Sequence, residues 1–526
     1  MTKDQLHRLI KVEDRIHRIV EDDLGLKCYP IEFDIVPPQK MLEIMAYNIP
    51  TNISNWKKGR DYERERTIYD HSARGLPYEV VINANPARAY LMDDNKFAVQ
   101  ALVMAHVYGH CAFFSTNKYF INSRQDIVNI MFEASRRFLE YEKRYGIDEV
   151  ERTEDAAHAL QWHSSPFEIR ETEDEKRHRI FEQEKKKIHA RGGSYGDING
   201  SSKIDIQEDI ELFNQKLWRS LKLKTPVEPT EDILRYLIDN SRILEDWQKD
   251  IMEVLRLEGQ YYWPIIKTKF MNEGFSVVVH EKVMNKLFEE GLLTSSEHAD
   301  YNYSNSLVKG ENPFQLNPYL VGSIIWKDIE SRWDKGRHGA DWSDCKSAKD
   351  KENWDTKVMG GWKKCLEVME SYTDWFFMMD FLTPQAIFDS KIYIYREKES
   401  NKYVDYVITK DEAEDIRKKI IAAFARTSIP KIEVVNGDYE GQGSLYLKHK
   451  WDGMGLDKDY ATQTMDHVLY LWGKPVHLET KDDEGVQITW SVSIGEEIDQ
   501  QTGIYEYWKQ ILKGMSSPLK QTISWG

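Results

Sequence analysis

Residues 101–120 have few ways to fold: Ala-Leu-Val-Met-Ala-His106-Val-Tyr-Gly-His110-Cys-Ala-Phe-Phe-Ser-Thr-Asn117-Lys-Tyr-Phe120. A run this apolar belongs in a core, and polar rings carried inside it need partners. His106 and His110 are spaced i, i+4, so on a helix both imidazoles leave the same face one turn apart. That is how one helix gives two ligands to one metal ion. The small residues Ala105 and Gly109 leave room beside that face for a ligand. The other reading is a pair of hydrogen-bonded histidines on a buried helix. Helical zinc peptidases carry their glutamate base directly after the first histidine, where this chain has Val107. Cys111 follows His110 directly and points about 100° away from it on a helix. It reads as a small core residue rather than a nucleophile.

A second constellation lies in Thr268-Lys-Phe-Met-Asn272-Glu273-Gly274-Phe275-Ser-Val-Val-Val-His280-Glu281. Glu273 and His280 are i, i+7, two helical turns apart and within about 20° of one face. A carboxylate and an imidazole on an otherwise apolar helix are costly unless paired or coordinated. Gly274 would let another backbone approach closely. In zinc peptidases of the gluzincin type a glutamate from a separate downstream helix completes the HxxxH ligand set, and Glu273 stands in the right order for that. The alternative is a Glu273 hydrogen-bonded to a core histidine or lysine.

Two further clusters are weaker. Glu154 and Asp155 sit four and three residues before His158, which reads as a charged surface helix or as outlying partners of a site. Asp250, Glu253 and Arg256 share one face at i, i+3 spacing, with Glu258 pointing elsewhere; this is an ion-paired helix or a source of a further carboxylate. With Val107 where a glutamate is usual, the candidate general bases are Glu79, Glu253 and Glu258. No GxSxG, Walker A or Rossmann glycine motif occurs in its required context.

Composition bounds the rest. Hydrophobic residues make up 41% and aromatics 12% of 526 residues, enough for a real core. The net charge of −16 argues against unspecific binding to a phosphate backbone, so no nucleic-acid partner is expected. The beginning of the chain has no apolar leader, and no stretch is expected to span a membrane. Cys28, Cys111, Cys345 and Cys365 are scattered and read as reduced thiols of a cytoplasmic protein.

Apolar spacing predicts helices over 1–25, 95–145, 149–191, 206–292, 316–335, 361–381, 410–426 and 459–472. Residues 39–75 and 295–315 read as irregular and polar, and 192–203 as a flexible loop. Strands are expected at 78–83, 391–396, 431–435, 444–449 and 485–493. The fold class is therefore α+β: a mainly α-helical body over 1–385 carrying the His/Glu site, and a smaller mixed α/β domain over 386–526.

Taken in order, these segments resemble the SpoVR family, known in spore formers as stage V sporulation protein R. The resemblance runs through Gly75–Pro86, Ala105–Phe114 with Asn117, Val150–Leu160, Trp247–Ile251, Thr268–Phe275 with His280, Asn317–Gly322, Asp380–Thr383 and Leu471–Val476. It carries the family's histidine motif onto His106 and His110, its Asn-Glu-Gly motif onto Asn272, Glu273 and Gly274, and the terminal histidine of that segment onto His280. It implies a cytoplasmic bacterial protein, linked in spore formers to the peptidoglycan cortex. The chain departs from the pattern at Asn55-Trp-Lys-Lys-Gly-Arg60, at Ala112 where an aspartate is common, and at Phe275 where a tryptophan is usual.

The expected function is a metal-dependent hydrolase acting on an amide bond of a cell-wall-related substrate. His106, His110 and Glu273 would hold a divalent ion, zinc before iron or manganese. Glu79, Glu258 and His280 would serve catalysis, His280 as a fourth ligand or a hydrogen-bond donor to the transition state. The alternative is a scaffold or regulatory protein that binds protein partners and whose His/Glu cluster is a polar core or structural metal site. A redox di-metal site would need two Glu-x-x-His pairs, which the sequence lacks.

Overall fold

The computed structural model describes residues 3–46, 56–71, 79–163, 171–195, 203–310, 316–390, 410–426 and 429–493. The expected strand at 391–396 and the centre of the expected loop, 196–202, lie outside them. Within the described residues the chain is mainly helical, as the sequence predicts, and carries two small sheets. The helices in chain order are α1 (Lys3–Arg18), α2 (Pro38–Ala46), α3 (Trp56–His71), α4 (Phe97–Thr116), α5 (Ile127–Tyr145), α6 (Ile147–Leu160), α7 (Glu173–Tyr195), α8 (Lys203–Leu223), α9 (Ile233–Asn240) and α10 (Asp246–Lys267). They continue with α11 (Lys269–Glu289), α12 (Ser295–Val308), α13 (Pro318–Asp334), α14 (Gly339–Asp344), α15 (Ala348–Glu352), α16 (Gly361–Ser371), α17 (Asp374–Phe381), α18 (Pro384–Asp389), α19 (Lys410–Arg426) and α20 (Lys458–Trp472). The chain forms two compact units, Met1–Leu139 with Tyr261–Ser428, and Glu140–Gln260 with Ile429–Gly526.

The first unit is built around α4, which is buried without a break from Ala98 to Phe114. By length and composition α4 could cross a membrane, yet 94% of its apolar window lies inside the protein. The helix is apolar all round because it is surrounded by protein. Helices α11 and α13 pack against one another, and α11 also packs against α4. Gly274 and Gly322 make the first crossing, since a Cβ on Gly274 would lie 2.3 Å from the Gly322 carbonyl carbon. Gly109 makes the second, where a Cβ would lie 2.6 Å from Ser276 Cα. The space beside Gly109 is thus filled by α11 and not by a ligand. Asp374, at the start of α17, accepts from the backbone N–H groups of Phe270 and Met271, both at 2.9 Å. Its carboxylate satisfies two of the orphan donors that open α11.

Three strands complete this unit: β1 (Ile31–Val36), β2 (Glu79–Ile82) and β3 (Ala87–Met92). The order is β1-β3-β2, with β1 parallel and β2 antiparallel to β3. Glu79, the first residue of β2, pairs with Leu91 of β3. Only β2 is expected from sequence. In β1 charged Glu32 and Asp34 alternate with the more apolar Ile31, Phe33 and Ile35, a period-2 signal that was there to read. β3, Ala-Arg-Ala-Tyr-Leu-Met, has little strand propensity and is a strand through its two partners.

Two further corrections concern helices. The described parts of 39–75 are helical and not irregular, because α2 and α3 occupy 38–46 and 56–71. α3 is supported by i, i+3 charge pairing, as between Asp61 and Arg64, rather than by an apolar stripe. Residues 295–308 form α12, whose buried face is Tyr301, Ser304 and Asn305. A polar buried face hides from an apolar-period search, but the Thr294/Glu297 capping box marks its start.

The second unit contains α6 to α9 and a four-stranded sheet of β4 (Ile432–Tyr439), β5 (Ser444–His449), β6 (Val476–Lys481) and β7 (Gln487–Val492), in that order. β5 and β6 are parallel, and α20 makes the crossover between them. Asp232 caps α9 by accepting from Arg235 N at 3.0 Å, and it also holds the buried Arg256 guanidinium at 2.6 and 2.8 Å.

Candidate metal centre

Three separate segments of the first unit bring four side chains to one point. Glu79 comes from β2, His106 and His110 from α4, and Glu273 from α11. His106 Nε2 lies 3.3 Å from Glu79 Oε1 and 3.6 Å from Glu273 Oε2. His110 Nε2 lies 3.8 and 3.4 Å from the same two oxygens. The histidine side chains are 4–6% exposed and the glutamates 16–18%, so the site is largely buried.

The donor set suits a divalent ion. Nitrogen and oxygen ligands about 2.0–2.2 Å from a tetrahedral ion lie about 3.3–3.6 Å from one another. Three of the four nitrogen–oxygen separations fall in or at the edge of that range, and the fourth is slightly longer. His106 Nε2 and Glu273 Oε2 are also buried without a hydrogen-bond partner among the described residues. Glu79, His106 and His110 form a group whose ligand atoms all lie within 4.8 Å of one another.

The far sides of the rings are anchored. His110 Nδ1 meets Asn272 Oδ1 at 2.9 Å, with Ser276 Oγ at 3.1 Å. His106 Nδ1 meets His280 Nδ1 at 2.9 Å, and His280 Nε2 meets Asn305 Oδ1 at 3.0 Å. His280 therefore stands behind His106 with both ring nitrogens engaged. Burial and the neighbouring His106 push its pKa down to about 3, so it is neutral at physiological pH. For His110 burial opposes the charged ring, but the Glu79 and Glu273 carboxylates outweigh it and push the pKa up to about 9. Glu273 is the reciprocal case: burial acts against its anion, but the two facing imidazoles hold its pKa below the ordinary glutamate value.

Tyr319 completes the surroundings. Asn317 caps α13 by accepting from Tyr319 N at 2.9 Å, and Pro318 occupies the first turn. This sets the Tyr319 ring 5.9 Å from that of His106, centroid to centroid. The Glu273 anion, burial and the Glu79 anion together push the pKa of its hydroxyl well up. Sequence spacing does not single out Tyr319 or Asn305 for the site. The signals for Tyr319 are its place after an Asn-Pro helix start and within Asn317–Gly322, one of the segments that carry the family resemblance.

The remaining candidates stand in the second unit. Glu258 is buried on α10, while Glu253 is partly exposed beside Arg235 and Arg256. Asp250 accepts from the Tyr141 hydroxyl at 3.0 Å. Glu154 is fully buried on α6, Asp155 is half-buried on the same helix, and His158 Nδ1 meets Gln161 Oε1 at 3.0 Å. Cys111 is buried and its thiol pKa is pushed well up by burial, as for a core residue. All four cysteines are free.

Comparison with known proteins matches the chain to a family. No solved structure matches the chain. An uncharacterized protein of Escherichia coli (strain K12), YcgB, is 28% identical over 513 residues, covering 92% of this chain and 93% of the relative. The family model described as SpoVR like protein matches residues 3–429, and the one described as SpoVR-like C-terminal domain matches 430–483. With nearly the whole length matched in order, the chain belongs to the SpoVR family.

Proposed function

We propose that this protein is a divalent-metal-dependent hydrolase. His106, His110 and Glu273 would hold the ion, and Glu79 would act as the general base that Val107 does not supply. The observation that carries this reading is the convergence of two imidazole Nε2 atoms and two carboxylates at 3.3–3.8 Å. Zinc suits the mixed nitrogen and oxygen donors best, with iron or manganese as alternatives. A bound ion would supply a Lewis acid and lower the pKa of a bound water.

The chain's own residues supply the proton handling. Glu79 takes the proton of an attacking water and returns it to the leaving amine. Tyr319 offers its hydroxyl to charge developing on the substrate oxygen. His110 keeps its ring orientation through Asn272. An amide of a cell-wall peptide is the proposed substrate class, and a role at the spore cortex follows only where the organism sporulates. Family context supports both. A cytoplasmic place, protein partners for the residues after 385, and the division of the chain at 385/386 belong to the same reading.

Metal content of protein purified gently without chelator tests it. One equivalent of metal is expected in the wild type, lost in His106→Ala and Glu273→Ala with the fold retained by circular dichroism. Glu79→Gln should keep the metal and lose hydrolysis of peptidoglycan-derived peptides. A metal-free wild type would overturn the reading.

A further inference from the structure

Behind His106 runs a chain of hydrogen bonds that ends at two lysines, Lys309 just after α12 and Lys327 on α13. Glu281 Oε1 accepts from Lys309 Nζ at 2.6 Å, and its Oε2 lies 2.5 Å from Lys327 Nζ. Asn305 Nδ2 donates to Glu281 Oε1 at 3.0 Å. Asn305 Oδ1 then meets His280 Nε2, and His280 Nδ1 meets His106 Nδ1. His280 is 1% exposed and Asn305 6%, so water does not substitute for these partners.

Each link has only one chemically sensible direction. An ionised carboxylate accepts and never donates, so Asn305 must turn its NH2 toward Glu281. The reversed amide would set two acceptors against each other. Asn305 Oδ1 therefore faces His280 and can only accept, so His280 Nε2 carries the proton. A neutral His280 then has its lone pair on Nδ1 and must receive a proton from His106 Nδ1. In a neutral His106 this leaves the lone pair on Nε2, the atom aimed at Glu79 and Glu273. Reversal of any single link would put the proton on Nε2 and remove His106 from a ligand set.

We infer that Lys309, Lys327, Glu281, Asn305 and His280 form a directional relay that holds His106 in its ligating tautomer, with His280 a positioning residue and not a ligand. The inference rests on the metal reading for its purpose, but its geometry is separate from it. The probes are zinc ion alone, titrated against a competing chelator, and nitrogen NMR of 15N-histidine-labelled, metal-free protein near pH 8. His106 Nδ1 is expected to carry a hydrogen-bonded proton in the metal-free wild type. Asn305→Leu should lose that signature and weaken zinc about 10–100-fold, as the loss of outer partners of metal ligands does. Lys309→Met with Lys327→Met should act in the same direction. These side chains are 24% and 48% exposed, so the pair serves if Asn305→Leu does not fold. An unprotonated Nδ1 in the wild type, or unchanged zinc affinity and spectrum in both variants, would overturn the relay. A wild type that takes no zinc but shows the Nδ1 proton defeats the metal reading and supports the relay.

Discussion

Gly274 of α11 and Gly322 of α13 meet backbone to backbone, and a Cβ added to Gly322 would lie 2.1 Å from the Phe270 carbonyl oxygen. Glu273 is next to this crossing, so the fit of two glycines fixes the height at which a site carboxylate leaves its helix. Gly274→Ala and Gly322→Ala should each cost about 1–3 kcal/mol through overpacking. Urea unfolding of the metal-free protein measures it. Wild-type stability in both would contradict the closeness of the crossing.

Metal binding should strengthen as pH rises. The proton on His110 Nε2 must leave before that nitrogen can bind an ion, and the Glu79 and Glu273 carboxylates push its pKa up to about 9. Zinc affinity is expected to rise about tenfold per pH unit between pH 7 and 9 for each proton displaced. The metal-free protein should show the opposite trend. A histidine whose folded pKa lies above its unfolded value stabilises fully below about pH 6.5, and that contribution is lost as pH rises through about 9. Zinc competition and urea unfolding at matched pH values check both slopes.

Removing the ion should lower the thermal midpoint of the wild type and leave those of His106→Ala and Glu273→Ala unmoved. A ligand that binds only the folded state adds stability in proportion to the logarithm of its concentration over Kd. Calorimetry with and without chelator reads this directly. Equal chelator effects on wild type and variants would place the ion elsewhere.

In the second unit the Arg256–Asp232 pair is nearly sealed from solvent, with side chains 8% and 1% exposed. Arg256→Met leaves the Asp232 carboxylate buried beside the start of α9 without its cation. A loss of about 3–5 kcal/mol is expected. The double variant Arg256→Met with Asp232→Asn should recover part of it, because no bare charge then remains. Failure to recover would mean that the pair acts through packing alone.

The candidate site is legible in the sequence where the helix period carries it. His106 and His110 at one turn, and Glu273 with Gly274 on a second apolar helix, stand out because polar groups interrupt apolar faces. Glu79 was one of three candidate bases, since nothing local tells a β2 carboxylate from the α10 carboxylates Glu253 and Glu258. Tyr319 and Asn305 were not legible, because tertiary packing brings them in. The fold shows the same limit. α4 and α11 follow from their apolar content, whereas α12 buries Ser304 and Asn305 and so looks like a loop, and β3 is a strand because β1 and β2 flank it.

The three segments that supply Glu79, the histidine pair and Glu273 have an order in time as well as in space. A ribosome delivers β2 and α4 well before α11, so the growing chain holds one carboxylate and two imidazoles before its second carboxylate exists. An ion captured early would sit on an incomplete ligand set, exposed to exchange with whatever metal the cell has free. The crossing of Gly274 on Gly322 comes later still, after α13 has emerged. On the proposed metal reading the complete ligand set would exist only once α11 has emerged and α13 has docked on it, so the choice of ion would be settled at final packing and not at the histidine pair.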